Sequence, residues 1–321
     1  MHAEKSTKRA GFGERLAGAV IARRNPVVVG LDPRIEELPE VLLPPGELAR
    51  EQQAAYFAIF CRGVIDVVAP LVPAVKPQAA FFEQLGPPGM TVLAEVITYA
   101  RQKGLLVILD GKRNDIGTTA AAYADAFLGD ESAWGADALT VSPYLGSDSL
   151  TPFVDVARSR GAGLFVLVKT SNPGGGTFQD LVADGQPLYR HVAEHVEELA
   201  RKTLGPSGYG IAGAVAGATY PDQLRELRSL MPNAWLLVPG YGAQGAGARD
   251  VAGAFDTRGL GAIVNSSRAI IFAHRRKQYA ARFAPADWQQ AVEAATRDMI
   301  EELRAETPAG KLTPLQQTRV T

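Results

Sequence analysis

The stretch Leu105-Leu106-Val107-Ile108-Leu109-Asp110-Gly111-Lys112-Arg113-Asn114-Asp115-Ile116-Gly117-Thr118-Thr119 decides the fold. It opens on an unbroken apolar run, turns abruptly to charge and glycine, and leads into residues of helical period. A continuous apolar run suits a strand buried on both faces, as in a parallel sheet covered by helices. Outward from it the same unit recurs. Short apolar runs fall at 27–31, 71–75, 105–109, 138–141, 164–168, 211–215, 235–238 and 262–264, which predicts eight strands. Between them lie helical segments at 47–68, 91–103, 119–132, 187–202, 221–231 and 267–283. In the first of these, Ala54, Phe57, Ala58, Cys61, Val64 and Ile65 recur at helical spacing. Eightfold alternation points to an α/β fold, a (β/α)8 (TIM) barrel. A doubly wound open sheet shares the local pattern, but no G-x-G-x-x-G follows the first strand at Gly30-Leu31-Asp32-Pro33. The expected organisation is a single domain. Residues 1–285 form the barrel with an N-terminal extension, 286–306 an extra C-terminal helix packed on it, and 307–321 a frayed polar tail.

The chain has 321 residues, and 33 Lys plus Arg balance 34 Asp plus Glu to leave a net charge of −1. That balance excludes a binder of nucleic-acid polymers that works by bulk electrostatics, while leaving room for a small anion held by a few placed cations. The single cysteine, Cys61, excludes an intrachain disulfide, and no Cys/His cluster offers a structural zinc site. Apolar stretches such as Val64-Ile65-Asp66-Val67-Val68-Ala69 fall far short of the roughly 20 residues that span a bilayer. Lys5, Lys8 and Arg9 are followed by Gly11-Phe12-Gly13-Glu14-Arg15, which breaks any signal-peptide core. The expectation is a cytoplasmic protein without membrane contact.

In such a barrel the chemistry sits on loops at the C-terminal ends of the strands. Polar residues ending the apolar runs are Asp32, Lys76, Asp110 with Lys112 and Asp115, Ser142, Lys169 with Ser171 and Asn172, Thr219, Gln244, and Asn265 with Arg268. Residues two apart on a strand share a face, so Asp110 and Lys112 can both point into the barrel mouth. Lys76 ends the neighbouring strand, and Asp115 can curl back over the top. Alternating Lys76, Asp110, Lys112 and Asp115 would keep a lysine protonated between carboxylates. The same spacing suits an ion-pair network that merely closes the barrel, and spacing alone does not choose between the two. The second group, Val238-Pro239-Gly240-Tyr241-Gly242-Ala243-Gln244-Gly245-Ala246 with Val264-Asn265-Ser266-Ser267-Arg268-Ala269, follows strands seven and eight, the usual phosphate site of these barrels. Small residues allow close approach of the backbone, and Arg268 can grip phosphate bidentately. His191 and His195, four apart on an outer helix, lack a third ligand and read as a solvated face. Cys61 reads as a small buried hydrophobe, and Glu83 as a local ion pair or cap.

Together these residues resemble the orotidine 5′-phosphate decarboxylases, in their longer bacterial subgroup. The matching text is Val29-Gly30-Leu31-Asp32-Pro33-Arg34, Val75-Lys76-Pro77-Gln78-Ala79-Ala80-Phe81-Phe82-Glu83, the segment from Asp110 through Thr119, Val168-Lys169-Thr170-Ser171-Asn172-Pro173-Gly174-Gly175, Pro239-Gly240-Tyr241-Gly242-Ala243-Gln244-Gly245, and Asn265-Ser266-Ser267-Arg268. It spans roughly residues 10 to 285 in order. The resemblance implies a carboxy-lyase of de novo pyrimidine biosynthesis that converts orotidine monophosphate to UMP and CO2 with no metal and no cofactor. It implies Lys112 as proton donor to C6, Asp110 beside the departing carboxylate, and Asp32 and Lys76 on the ribose hydroxyls. Ser171 and Pro239 would meet the pyrimidine, and Gln244 and Arg268 the 5′-phosphate. Asp115, Ile116 and Thr119 would reach into the active site of a partner subunit, making a homodimer with shared sites.

Two rivals differ in class. A phosphosugar lyase or decarboxylase on the same barrel would need Mg2+ held by an acidic residue at the end of strand two, where this chain has the cation Lys76. A non-catalytic nucleotide-binding barrel would have no need of so costly a charge cluster.

Overall fold

The computed structural model describes residues 9–242 and 245–313. Its centre is a closed barrel of eight parallel strands: β1 (Val27–Leu31), β2 (Ala74–Pro77), β3 (Leu106–Arg113), β4 (Ala138–Val141), β5 (Gly163–Lys169), β6 (Ala212–Ala216), β7 (Trp235–Val238) and β8 (Ala262–Ser266). Each pairs with its neighbours in sequence, and β8 returns to β1, which excludes the open sheet. The strands read as apolar runs because both faces are covered: all five residues of β1 are buried, as are all four of β7. The larger helices are α1 (Phe12–Arg23), α2 (Arg50–Val68), α3 (Pro87–Gln102), α4 (Gly117–Phe127), α5 (Ser147–Arg160), α6 (Leu188–Arg201), α7 (Pro221–Leu230) and α8 (Trp288–Glu306). Among the described residues, no helix is long and apolar enough to cross a membrane.

The described part of the N-terminal extension is largely a helix. Helix α1 plugs the end of the barrel where the strands begin. Phe12 meets Phe165 edge to face, with ring centroids 5.9 Å apart. Gly163 lies so close that a Cβ there would fall 2.2 Å from the Phe12 ring. Arg15 reaches the buried Asp137 at 2.6 Å, and Asp137 also accepts the Val107 N–H at 2.9 Å.

Several boundaries differ from the sequence reading. The second strand begins at Ala74 rather than 71, because Pro70 and Pro73 cannot donate to a ladder. Leu71 and Val72 instead form the turn after α2, with Val72 buried. The third strand runs on to Arg113 past a bulge after Leu109, so Asp110 and Lys112 are strand residues. The segment 267–283 is not one helix but short pieces, Arg268–Ile271 and Lys277–Ala280 among them. Ile270, Ile271, Phe272 and Ala273 are four consecutive buried residues, and a continuous helix would turn some of them to water. The expected tail is packed in its first part. Residues 308–311 form a 3-10 turn capped by Thr307, and Ala309 and Leu312 are buried. Residues 314–321 lie outside the described residues. Helix α8 packs on α2 through Trp288, whose ring lies 5.3 Å from that of Phe60.

Candidate active site

At the strands' C-terminal ends, a cavity of about 310 Å3 opens at the mouth of the barrel. Asp32, Lys76, Asp110, Lys112, Ser171, Pro239 and Arg268 all line it, so seven residues expected in the site converge on one space. Register explains why. Gly30 on β1 sits opposite Lys76 on β2, and Gln78 bridges to Asp110 across β2 and β3. Gly30 has to be glycine, since a Cβ there would lie 1.8 Å from the Ser267 hydroxyl.

Asp110 is the hub. Its Oδ2 accepts from Lys76 Nζ at 2.8 Å and from Gln78 Nε2 at 3.2 Å. Its Oδ1 accepts from Lys112 Nζ at 2.7 Å and from the Thr140 hydroxyl at 2.9 Å. Burial works against the Asp110 carboxylate, but Lys76 and Lys112 outweigh it and hold the group well below the usual carboxylate range. Burial also opposes the Lys76 ammonium; Asp110 and then Asp32 prevail, so Lys76 stays charged above the ordinary lysine value. Lys112 differs in exposure: about half of its side chain is open to the cavity and solvent, against 5% for Lys76. Its backbone is left-handed at φ 47°, a conformation that costs a side-chain-bearing residue about 1–3 kcal/mol. The Lys112 N–H donates to Thr140 Oγ1 at 2.9 Å, holding this bulged backbone in place. Across the cavity, Asp32 Oδ1 and Asn265 Oδ1 are buried acceptors with no donor among the described residues, and both belong to residues that face the opening.

Arg268 follows β8 at the opposite rim, beside the loop after β7. That loop turns on Gly240, Gly242 and Gly245, all at positive φ, and is closed at its base by the Gly242 N–H donating to Ala246 O at 2.9 Å. Gln244 lies outside the described residues. Asp115, Ile116 and Thr119 do not line this chain's own cavity; Asp115 Oδ1 accepts the Ile116 N–H, and Ile116 is exposed. Glu83 makes its expected ion pair, with Arg113. His191 is tied down locally rather than to a metal, its Nε2 lying 2.8 Å from the Ala183 carbonyl oxygen. Cys61 is fully buried, which raises its thiol far above the ordinary value.

The sequence assigns no individual role to Gln78, Thr140 or Tyr241, though all three line the cavity. Thr140 is the one polar residue inside an apolar strand and Gln78 stands two after Lys76, so the alternation of faces carried a signal for both.

Fold and site together define a (β/α)8-barrel enzyme whose cavity presents a lysine–aspartate–lysine chain. The chain belongs to the orotidine 5′-phosphate decarboxylase / HUMPS family, whose profile matches residues 26–283. It is 57% identical over 298 residues to an orotidine 5′-phosphate decarboxylase of Rhodopirellula baltica, covering 91% of this chain and 99% of that relative. It is 47% identical over 274 residues to an orotidine 5′-phosphate decarboxylase of Deinococcus radiodurans, covering 85% and 93%. Among solved structures, the Leishmania donovani OMP decarboxylase is similar, with a TM-score of 0.70, 34% identity, and coverage of 92% of this chain and 98% of that one.

Proposed function

We propose that this protein is an orotidine 5′-phosphate decarboxylase of de novo pyrimidine biosynthesis, acting in the cytoplasm as a homodimer and without metal or cofactor. The observation that carries the reading is the Lys76–Asp110–Lys112 chain, which faces the same cavity as Arg268. The C6–carboxylate bond breaks and its electron pair stays at C6, in an in-plane orbital that the ring delocalises poorly. A preorganised ammonium is the suitable stabiliser, and Lys112 then gives its proton to that carbon. Lys112 is the more exposed lysine of the chain, as a residue that must meet substrate requires. Asp110, kept ionised by its two lysines, stands beside the departing carboxylate.

Lys76 and Asp32 take the ribose hydroxyls, a role that suits the unpartnered Asp32 Oδ1. Ser171 and Pro239 contact the ring, while Arg268 and Gln244 hold the phosphate. That phosphate is remote from the reacting carbon, so its binding energy serves to organise the closed site and thereby the rate. Asp115, Ile116 and Thr119 complete the partner's site, a role supported by their position outside their own chain's cavity.

An ultraviolet assay of orotidine monophosphate loss, run with and without EDTA, tests the reading. Loss at the same rate in both supports it. No loss would leave the binding barrel or the phosphosugar rival, and loss abolished by EDTA would contradict a metal-free reaction.

A further inference from the structure

Helix α8 is appended after the barrel has closed, yet it touches the loop after β7 from behind. Tyr241 is buried at the base of that loop and lines the candidate cavity. Its hydroxyl donates to Glu302 Oε2 on α8 at 2.5 Å, a distance typical of a phenol bonded to a carboxylate. Burial and Glu302 raise the phenol's pKa, so it remains a donor. Tyr241 also bridges to Ala246, so that fixing Tyr241 fixes both arms of the loop between them. A second contact from the same helix, the solvent-exposed ion pair of Arg249 with Glu306 at 3.2 Å, lies just beyond the loop. Behind the loop lies a further cavity of about 450 Å3, lined by Tyr241, Arg268, Asp298 and Glu302 among others. Tyr241 and Glu302 thus meet at the edge of that cavity.

We infer that Glu302 is a positioning residue for phosphate recognition: through Tyr241 it sets the base of the glycine-rich loop facing Arg268. The inference rests on the reading that this rim binds the 5′-phosphate. A helix outside the barrel repeat thereby contributes to substrate affinity without touching substrate.

The test compares UMP with uridine, by calorimetric or NMR titration of the full chain, for wild type, Glu302→Ala, Glu302→Gln, Tyr241→Phe and Arg268→Ala. The readout is the ratio of the uridine Kd to the UMP Kd, which isolates what the phosphate adds. Glu302→Ala should lower that ratio about tenfold, the scale of one charge-assisted hydrogen bond. Glu302→Gln, whose amide oxygen still accepts, should recover most of it. Tyr241→Phe should match Glu302→Ala, and the double variant should be no worse than either single one. A wild-type ratio in Glu302→Ala, with a collapsed ratio in Arg268→Ala, would overturn the role of Glu302 while leaving the phosphate reading intact. Equal weakening of UMP and uridine in Glu302→Ala would also overturn it, because only general damage acts on both ligands alike. A wild-type ratio in Arg268→Ala would remove the phosphate reading and this inference with it.

Discussion

Asp110 accepts four hydrogen bonds from two lysines, a threonine and a glutamine, and its charge allows Lys76 to remain an ammonium in a buried place. Its depressed pKa adds stability that is complete above the ordinary carboxylate value of about 4 and fades as pH falls through the folded value. The raised pKa of Lys76 adds stability that is complete below about 10.4 and is lost as pH rises through the folded value. Asp110→Asn leaves the buried Lys76 charge with Asp32 alone as counter-charge, which should cost about 3 kcal/mol near neutrality. Burial then weighs more heavily against the Lys76 ammonium, so its pKa falls from its wild-type position. The gap to wild type should then narrow as pH rises towards the ordinary lysine range, as Lys76 sheds its proton earlier in the variant. Urea unfolding of both proteins across that range checks this, and a gap independent of pH would count against the pairing. The members of this chain were legible from the sequence because strand alternation puts Asp110 and Lys112 on one face, with Lys76 on the next strand. Thr140 was harder to see. It sits inside an apolar run, and a hydroxyl among hydrophobes signals an inward polar contact only once the facing strand is known to carry Asp110.

Elements were legible where hydrophobic runs report burial on two faces, as in β1, β4 and β7, whose limits match the sequence reading. They were misread where burial and periodicity part company. Leu71 and Val72 are apolar because they sit in the turn between α2 and β2, and the Ile270–Ala273 cluster is apolar without being a helical stripe. Helix α5 carries Pro152 and opens on Ser147-Asp148-Ser149, a composition that reads as loop. Helix α1 gave no strand–helix signal because it precedes the repeat. Its position at the strands' N-terminal ends leads to a clear separation of stability from function. Phe12→Ala empties the contact with Phe165 and Gly163 and should cost about 3–5 kcal/mol in chemical unfolding. UMP affinity at the opposite end of the barrel should be unchanged, as titration of the folded variant can show; a parallel loss of affinity would mean that the two ends are coupled.

For the whole molecule, the residues that a single chain leaves outside its own cavity matter most. Asp115 follows Lys112 by three positions yet does not line that cavity. If it serves a partner's site, a heterodimer of Lys112→Ala and Asp115→Ala subunits has one site with both defects and one with neither. Each variant alone should be nearly inactive, and subunit exchange should restore activity towards half of wild type per heterodimer. Confirmed heterodimers with no recovered activity would return Asp115 to its own subunit.

Protonation of C6 by the Lys112 ammonium as CO2 leaves can be followed in D2O. Wild-type protein and Lys112→Ala are incubated with orotidine monophosphate, and the product is read by mass spectrometry and proton NMR. The wild type should give UMP carrying one deuterium at C6. Lys112→Ala should turn over at least about a thousandfold more slowly while UMP still binds. Orotidine monophosphate left intact by the wild type, or equal rates from the two proteins, would rule out Lys112 as the proton donor.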